Sequence, residues 1–304
     1  MNDQSDRPAA DAPRSFLGVI GGSGVYDLPG LEDGRWEVVE TPWGMPSDAI
    51  RRGTIGGLQV AFLPRHGRGH RFSPSDINYR ANIDALKRIG VTDVVSVSAV
   101  GSLREDLPPG TFVLVDQFID RTFARTKSFF GQGCVAHVPF GEPVSPGLAD
   151  LVEAAAIAEA VPFRRGGTYL VMEGPQFSTL AESRLYRSWG CDVIGMTNMP
   201  EAKLAREAEL CYATVAMVTD YDSWHPQDGP VDVSKILAVL AANRGKVQRL
   251  LARLAQDFPR RHPPCPVGSD RALEHALITA PEARDPVVLA RLDAVAGRVL
   301  GGVR

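Results

Sequence analysis

Cysteine is scarce. There are four in 304 residues, Cys134, Cys191, Cys211 and Cys265, and no two stand in a Cys-x-x-Cys spacing. That excludes the common zinc and dithiol patterns, and so few scattered thiols fit a reducing compartment. Neither sign of charge is in surplus. A formal net charge of −3 argues against a general nucleic-acid binder and against a polybasic membrane patch. No apolar run approaches the roughly 18 residues of a membrane span. Met1 to Arg14 lacks the apolar centre of a secretory signal. No Gly-Lys-Ser/Thr follows Gly21-Gly22-Ser23-Gly24, and Tyr26 and Asp27 stand where a dinucleotide loop needs its third glycine. The reading is a cytoplasmic protein with no metal and no bound cofactor. Residues 1–15 form a disordered tail and residues 16–304 a single domain.

What is present is an ordinary globular balance, 44% hydrophobic and 23% charged. Short apolar runs alternate with helical periodicity. Strands are expected at Phe16–Ile20, Leu58–Pro64, Asp93–Val100, Phe112–Ile119, Thr168–Met172, Asp192–Gly195 and Cys211–Thr219. Helices are expected at Asp76–Ile89 with Asp76 as cap, Leu148–Ala160, Thr179–Trp189 with a Thr179/Glu182 capping box, and Pro200–Glu209. A long helix follows over Val233–Phe258, bent near Asn243–Gly245, and a last one from Asp285 to Leu300. Arg260 to Asp270 reads as a surface connector. This order predicts an α/β fold with a largely parallel sheet covered by helices.

In such folds ligands collect where strands end. Four strand ends carry small, hydroxylic or cationic residues: Gly22-Ser23-Gly24, Arg65-His66-Gly67, Ser98-Ala99-Val100-Gly101 and Met196-Thr197-Asn198. Hydroxyls, bare amides and two cations suit an anion such as phosphate. Taken singly, each loop is more often a tight turn and Arg65-His66 more often a solvated pair, but the four coincide, and Arg65-His66 follows a strand in a Gly-rich run. Asp220 and Asp222 follow a β-branched strand at i and i+2, so both carboxylates can face one side. They can hold or give a proton, or simply cap a turn. Asn198 and Glu201 have the spacing of a capping box. Phe177 either lines a pocket or packs in the core, and His70 and His137 read as packed or surface histidines.

In chain order, Ile20-Gly21-Gly22-Ser23-Gly24, Pro64–His70, Asn78–Ile83, Ser98–Leu103, Met172–Phe177, Met196–Glu201 and Thr219–Asp222 resemble the trimeric purine nucleoside phosphorylases. The nearest likeness is to their S-methyl-5′-thioadenosine phosphorylase branch. The resemblance implies a single α/β domain around a mixed, mostly parallel sheet flanked by helices, and a homotrimer that binds a small nucleoside. The implied reaction is phosphorolysis, with inorganic phosphate as co-substrate and no cofactor. Ser23, Arg65, His66, Ser98, Ala99 and Thr197 would hold phosphate, with Arg65 the main charged contact. Met196 would pack on the ribose and Phe177 face the base. Asp220, kept protonated, would give the leaving purine a proton, with Asp222 beside it. Val233, Ile236 and Leu237 would line an apolar pocket for the 5′ group, and His137 would reach a neighbouring subunit's site. Ser23 and Ser98 stand where many family members have Thr, and the chain beyond Arg260 is longer than the family leads one to expect. The alternative is a phosphorylase of 6-oxopurine nucleosides or of S-methyl-5′-thioinosine. A nicotinamide dehydrogenase and a nucleoside-binding sensor are the more distant rivals.

Overall fold

The computed structural model describes residues 12–22, 28–226 and 233–301. Ser23 and most of the expected tail therefore lie outside the described residues. No described helix is long and apolar enough to cross a membrane.

The sheet is built on strands whose sequences are almost wholly apolar. β1 (Phe16–Gly21), β4 (Leu58–Pro64), β5 (Asp93–Ser102) and β11 (Cys211–Asp220) are buried nearly throughout. β1 pairs in parallel with β4 and β5, and β5 in parallel with β11. Strands buried on both faces read as continuous runs rather than alternating ones. Two strands escape that signal. β2 (Glu32–Glu37, EDGRWE) and β3 (Ile50–Ile55, IRRGTI) form an antiparallel edge hairpin on β4. The run expected over Phe112–Ile119 divides at Asp116. Its halves, β6 (Phe112–Val115) and β7 (Gln117–Asp120), pair with different partners. β6 runs antiparallel to β11 and parallel to β8 (Phe163–Arg165), and β7 runs parallel to β9 (Thr168–Val171). β10 (Val193–Gly195) joins β9 in parallel to β5 in antiparallel, closing one mixed sheet.

The helices are α1 (Tyr79–Arg88), α2 (Pro146–Ala158), α3 (Leu180–Ser188), α4 (Asn198–Glu207), α5 (Val233–Asp257), α6 (Pro286–Arg291) and α7 (Gly297–Leu300). Three apolar clusters lie on the sheet, one under α1, α4 and the C-terminal segment, one under α2 and α5, and a small one under α3. α3 has the expected reciprocal Thr179/Glu182 box. α1 begins later than expected, because Asn78 accepts from the Ala81 amide at 3.1 Å while Asp76 closes a turn with Ser73. α5 is a single 25-residue helix through Asn243–Gly245. The last expected helix is instead α6 and α7, which turn on Leu292–Ala296.

Arg260–Asp270 is not a surface connector. His262, Cys265 and Ser269 are buried. His262 Nδ1 lies 3.0 Å from Asp93 Oδ2, its Nε2 lies 3.9 Å from Cys211 Sγ, and Cys265 Sγ donates to Ser145 Oγ at 3.4 Å. Asp93 and Cys211 sit side by side where β5 and β11 begin. Asp93, Cys211 and His262 are the one group among the described residues whose donor atoms converge as a metal ion would need. Asp93 and His262 already satisfy each other, and we read the group as fastening the C-terminal segment to the strand starts.

Glu207, the last residue of α4, is buried and accepts from Ser128 Oγ and the Phe129 amide, each at 2.7 Å. Burial pushes its carboxyl up to about 7 from 4.5. A raised carboxyl pKa means the folded state holds the proton more tightly. The associated stability is full below the unfolded value and is lost as pH rises through the folded one. Glu207→Gln should thus be the more stable protein above pH 7, by about 1–3 kcal/mol, and the gap should close near pH 4. Thermal melts across pH check this, and a gap that does not change with pH rejects it.

Candidate active site

The C-terminal ends of β1, β4, β5, β9, β10 and β11 meet at one cavity of about 580 Å³. It gathers Arg65, His66, Ser98, Ala99, Phe177, Met196, Thr197, Asp220, Asp222, Val233, Ile236 and Leu237. Two expected residues are not in it. Ser23 lies outside the described residues, and His137 is exposed elsewhere on this chain, its amide donating to the Ala276 carbonyl.

One end is acidic. β11 shifts register against β5 between Val218 and Asp220, which brings Asp220 opposite Gly101. A Cβ on Gly101 would stand 3.1 Å from Asp220 Oδ2 and 3.2 Å from Asp222 Cβ, so a side chain there would crowd the carboxylates. Thr219 Oγ1 donates to Asp220 Oδ1 at 2.7 Å, and the Asp222 amide donates to Asp220 Oδ2 at 3.1 Å. Asp222 is buried in a left-handed conformation (φ 38°), with Ser178 Oγ 2.8 Å from each of its oxygens. Burial raises the Asp222 carboxyl, and the nearby serine hydroxyls of Ser183 and Ser178 only partly offset it.

The other end is hydroxylic. Thr197 is buried, and its Oγ1 has no partner. Ser98 Oγ donates to Asn198 Oδ1 at 3.2 Å. His66 is buried, and its Nδ1 faces the Phe72 carbonyl at 2.9 Å. A carbonyl can only accept, so Nδ1 carries the hydrogen and Nε2 the lone pair. Burial, then the Arg65 charge, lowers the His66 pKa to about 4, which keeps the ring neutral. His70 stacks on it, ring centres 4.2 Å apart, and also lines the cavity. The sequence reading left His70 as a packed or surface residue.

Arg65 is committed largely to protein partners. It touches the cavity, but its guanidinium is 1% exposed and is held below the cavity wall. Nε and Nη2 pair with Glu201 at 2.8 and 3.1 Å, Nη1 donates to the Val97 carbonyl at 2.8 Å, and Nη2 also donates to Ser96 Oγ at 2.6 Å. At most one N–H is left for an anion. The expected Asn198/Glu201 capping box is absent for the same reason. Glu201 faces Arg65 and Tyr212, and Asn198 reaches Tyr212 and Thr214.

The remaining wall is apolar. Val233 and Leu237 are 57% and 59% exposed on the first turns of α5, yet both turn toward the cavity with Ile236 and Leu240. A cavity that holds a carboxylate pair, the Ser98 and Thr197 hydroxyls and an apolar wall is a site for a molecule with a base, a polar middle and an apolar tail. Residues 16–256 match the sequence pattern of the phosphorylase superfamily.

The chain belongs to the phosphorylase superfamily. Among its relatives, the S-methyl-5′-thioadenosine phosphorylase of Bradyrhizobium diazoefficiens is 67% identical over 289 residues, spanning 95% of this chain and 99% of that one. The corresponding enzyme of Cereibacter sphaeroides is 64% identical, over 95% of this chain and all of its own length. A crystal structure of a methylthioadenosine phosphorylase from an antarctic soil metagenomic library superposes with a TM-score of 0.85 at 45% identity, covering 93% of this chain and 99% of that one. The Schistosoma mansoni enzyme in complex with adenine gives 0.75 at 36%, covering 80% and 91%. Within the superfamily, this phosphorylase groups with the S-methyl-5′-thioadenosine phosphorylases.

Proposed function

We propose that the protein catalyses phosphorolysis of S-methyl-5′-thioadenosine, giving adenine and 5-methylthioribose 1-phosphate. The observation that carries this reading beyond kinship is the layout of one cavity, with Asp220 and Asp222 at one end and Thr197, Ser98 and His66 at the other. Phosphate lies beneath the sugar on the Thr197 and Ser98 hydroxyls and the Ala99 backbone, and Ser23, outside the described residues, is a further candidate contact. The neutral His66 accepts from a phosphate hydroxyl through Nε2. Met196 packs on the ribose and Phe177 on the base. As the C1′–N9 bond lengthens, the sugar becomes cation-like above the phosphate and the purine anion-like. Asp220 then gives its proton to N7, while Asp222 and Ser178 hold it in place.

The exposed apolar face of α5 fits a methylthio group, which needs no polar partner. His137 acts in a neighbouring protomer's site, within a homotrimer. A 6-oxopurine substrate fits less well, because two carboxylates suit a 6-amino donor. Turnover of methylthioadenosine, adenosine, inosine and methylthioinosine, each with and without phosphate, tests the reading. Methylthioadenosine should exceed adenosine in kcat/KM by about 1–3 kcal/mol, the scale of a small apolar difference. Equal release of base without phosphate would mean a hydrolase. A fully active monomer in sedimentation would remove the shared site.

A further inference from the structure

Arg125 belongs to none of the motifs that the sequence reading singled out, yet its guanidinium is the most heavily bonded group beside the cavity. Its side chain is 1% exposed. Nη1 donates to the carbonyls of Met196 at 2.5 Å and Met199 at 2.7 Å, and to Tyr79 Oη at 3.2 Å. Nη2 donates to the carbonyls of Glu173 at 2.6 Å and Met172 at 3.5 Å. Nε faces Ser75 Oγ and Glu173 Oε1, both at 3.3 Å. Met199 is extended inside α4 (φ −121°, ψ 130°), which turns its carbonyl out of the helix ladder. Glu173 completes the knot. Its Oε2 accepts from the Phe123 and Ala124 amides at 2.7 and 3.3 Å, and the Ser75 hydroxyl together with these amides overcomes burial to hold its carboxyl below the usual range.

These contacts join two neighbouring segments, those that follow β9 and β10, and both line the cavity. Met172, Pro175 and Phe177 follow β9 on the base side, and Met196 and Thr197 follow β10 on the sugar and phosphate side. The segments already touch closely, since a Cβ on Gly174 would stand 2.5 Å from Met196 Sδ. A planar fork of five donors on a buried set of carbonyls is a task only arginine can fill. The third party is the segment Arg121–Lys127, which leads toward His137.

We infer that Arg125 is a positioning residue that sets the distance between the base wall and the sugar–phosphate wall, and so aligns C1′ with the attacking phosphate. It touches no substrate. It fixes the peptide between Met196 and Thr197, and with it the direction of the unpartnered Thr197 hydroxyl. The inference rests on the proposed phosphorolysis for its kinetic arm and on geometry alone for its second arm.

Arg125→Lys keeps the charge but cannot span the carbonyls. Its kcat for methylthioadenosine should fall about 10²-fold, the effect of a misplacement near 1 Å. Adenine affinity by calorimetry should change less than about threefold, because each wall survives alone. In the second arm, amide hydrogen exchange is compared in full-length protein at equal melting temperature. Exchange should rise together at 172–177 and 196–200 in the variant. Should the lysine variant fail to fold, Arg125→Gln, which retains one amide donor, is read the same way. Exchange that rises only at 121–127 overturns the clamp, whatever the substrate proves to be. A kcat loss matched by an equal loss of adenine affinity overturns the alignment role. A parent that turns over no nucleoside with phosphate defeats the proposed reaction and leaves the exchange result to decide the clamp.

Discussion

Arg65→Met should lower stability by about 3–5 kcal/mol, and that loss should be larger than any specific effect on phosphate. The guanidinium and the Glu201 carboxylate are each 1% exposed and 2.8 Å apart. Burial opposes the charge on Arg65, but Glu201 outweighs it and holds the Arg65 pKa above its usual value. With the guanidinium gone, Glu201 would keep the Tyr212 hydroxyl at 2.9 Å as a donor and lose its counter-charge. Breaking one side of a buried pair is costly because the other charge is stranded, whereas replacing both members by neutral groups is often tolerated. The double variant Arg65→Met/Glu201→Gln should therefore recover more than half of the loss. Urea unfolding of the parent, both single variants and the double variant gives the coupling directly. A stable Arg65→Met protein that has lost about 10²–10³ in turnover through phosphate alone would restore the direct anion contact.

The same pair shows what sequence could and could not disclose. Parallel, twice-buried strands such as Cys211–Asp220 announce themselves as unbroken apolar runs. The edge hairpin does not, because EDGRWE and IRRGTI owe their pairing to β4 rather than to any pattern of their own. The cavity residues were legible because strand ends concentrate small and polar side chains, and because the motifs recur in a known family. Their partners were not. Arg65 meets Glu201 across 136 positions, and at short range Asn198-x-x-Glu201 mimics a capping box. Arg125 lies in the irregular segment between β7 and α2, and only the fold brings Met172, Glu173, Met196 and Met199 to it. His70 lies in the right loop, but its stack on His66 depends on a left-handed backbone (φ 55°) that non-glycine residues adopt infrequently. The C-terminal fastening was hidden because a Pro-rich stretch reads as surface, while His262 and Cys265 are buried by strand starts some 50 to 170 positions away.

Asp220→Asn should reduce phosphorolysis of methylthioadenosine by about 10²–10⁴-fold, the range for losing a positioned general acid. Inosine and methylthioinosine should suffer much less and gain in relative terms. The structure fixes which way the new amide would point. The Asp222 amide donates to Asp220 Oδ2 and cannot reverse, so the asparagine must present its oxygen there. The other position faces the Thr219 hydroxyl, which can turn to the Val100 carbonyl 3.2 Å away and accept instead. The amide nitrogen then lies where Asp220 Oδ1 was, and the Thr219 hydroxyl keeps a partner in the Val100 carbonyl. That nitrogen can donate to a 6-oxo group or to N7, but it has no acidic proton to give a leaving adenine. It also meets the 6-amino group donor to donor, which leaves both unsatisfied. Asp222→Asn should cost less in base choice, because the hydrogen bond from its backbone N–H to Asp220 survives and its side chain acts through Ser178. The measurement is the ratio of kcat/KM for methylthioadenosine to that for methylthioinosine in the parent and both variants. A parent that already prefers methylthioinosine, or an Asp220→Asn protein with an unchanged ratio, would show that these carboxylates do not read the 6-position, and the 6-oxopurine reading would take the place of the first.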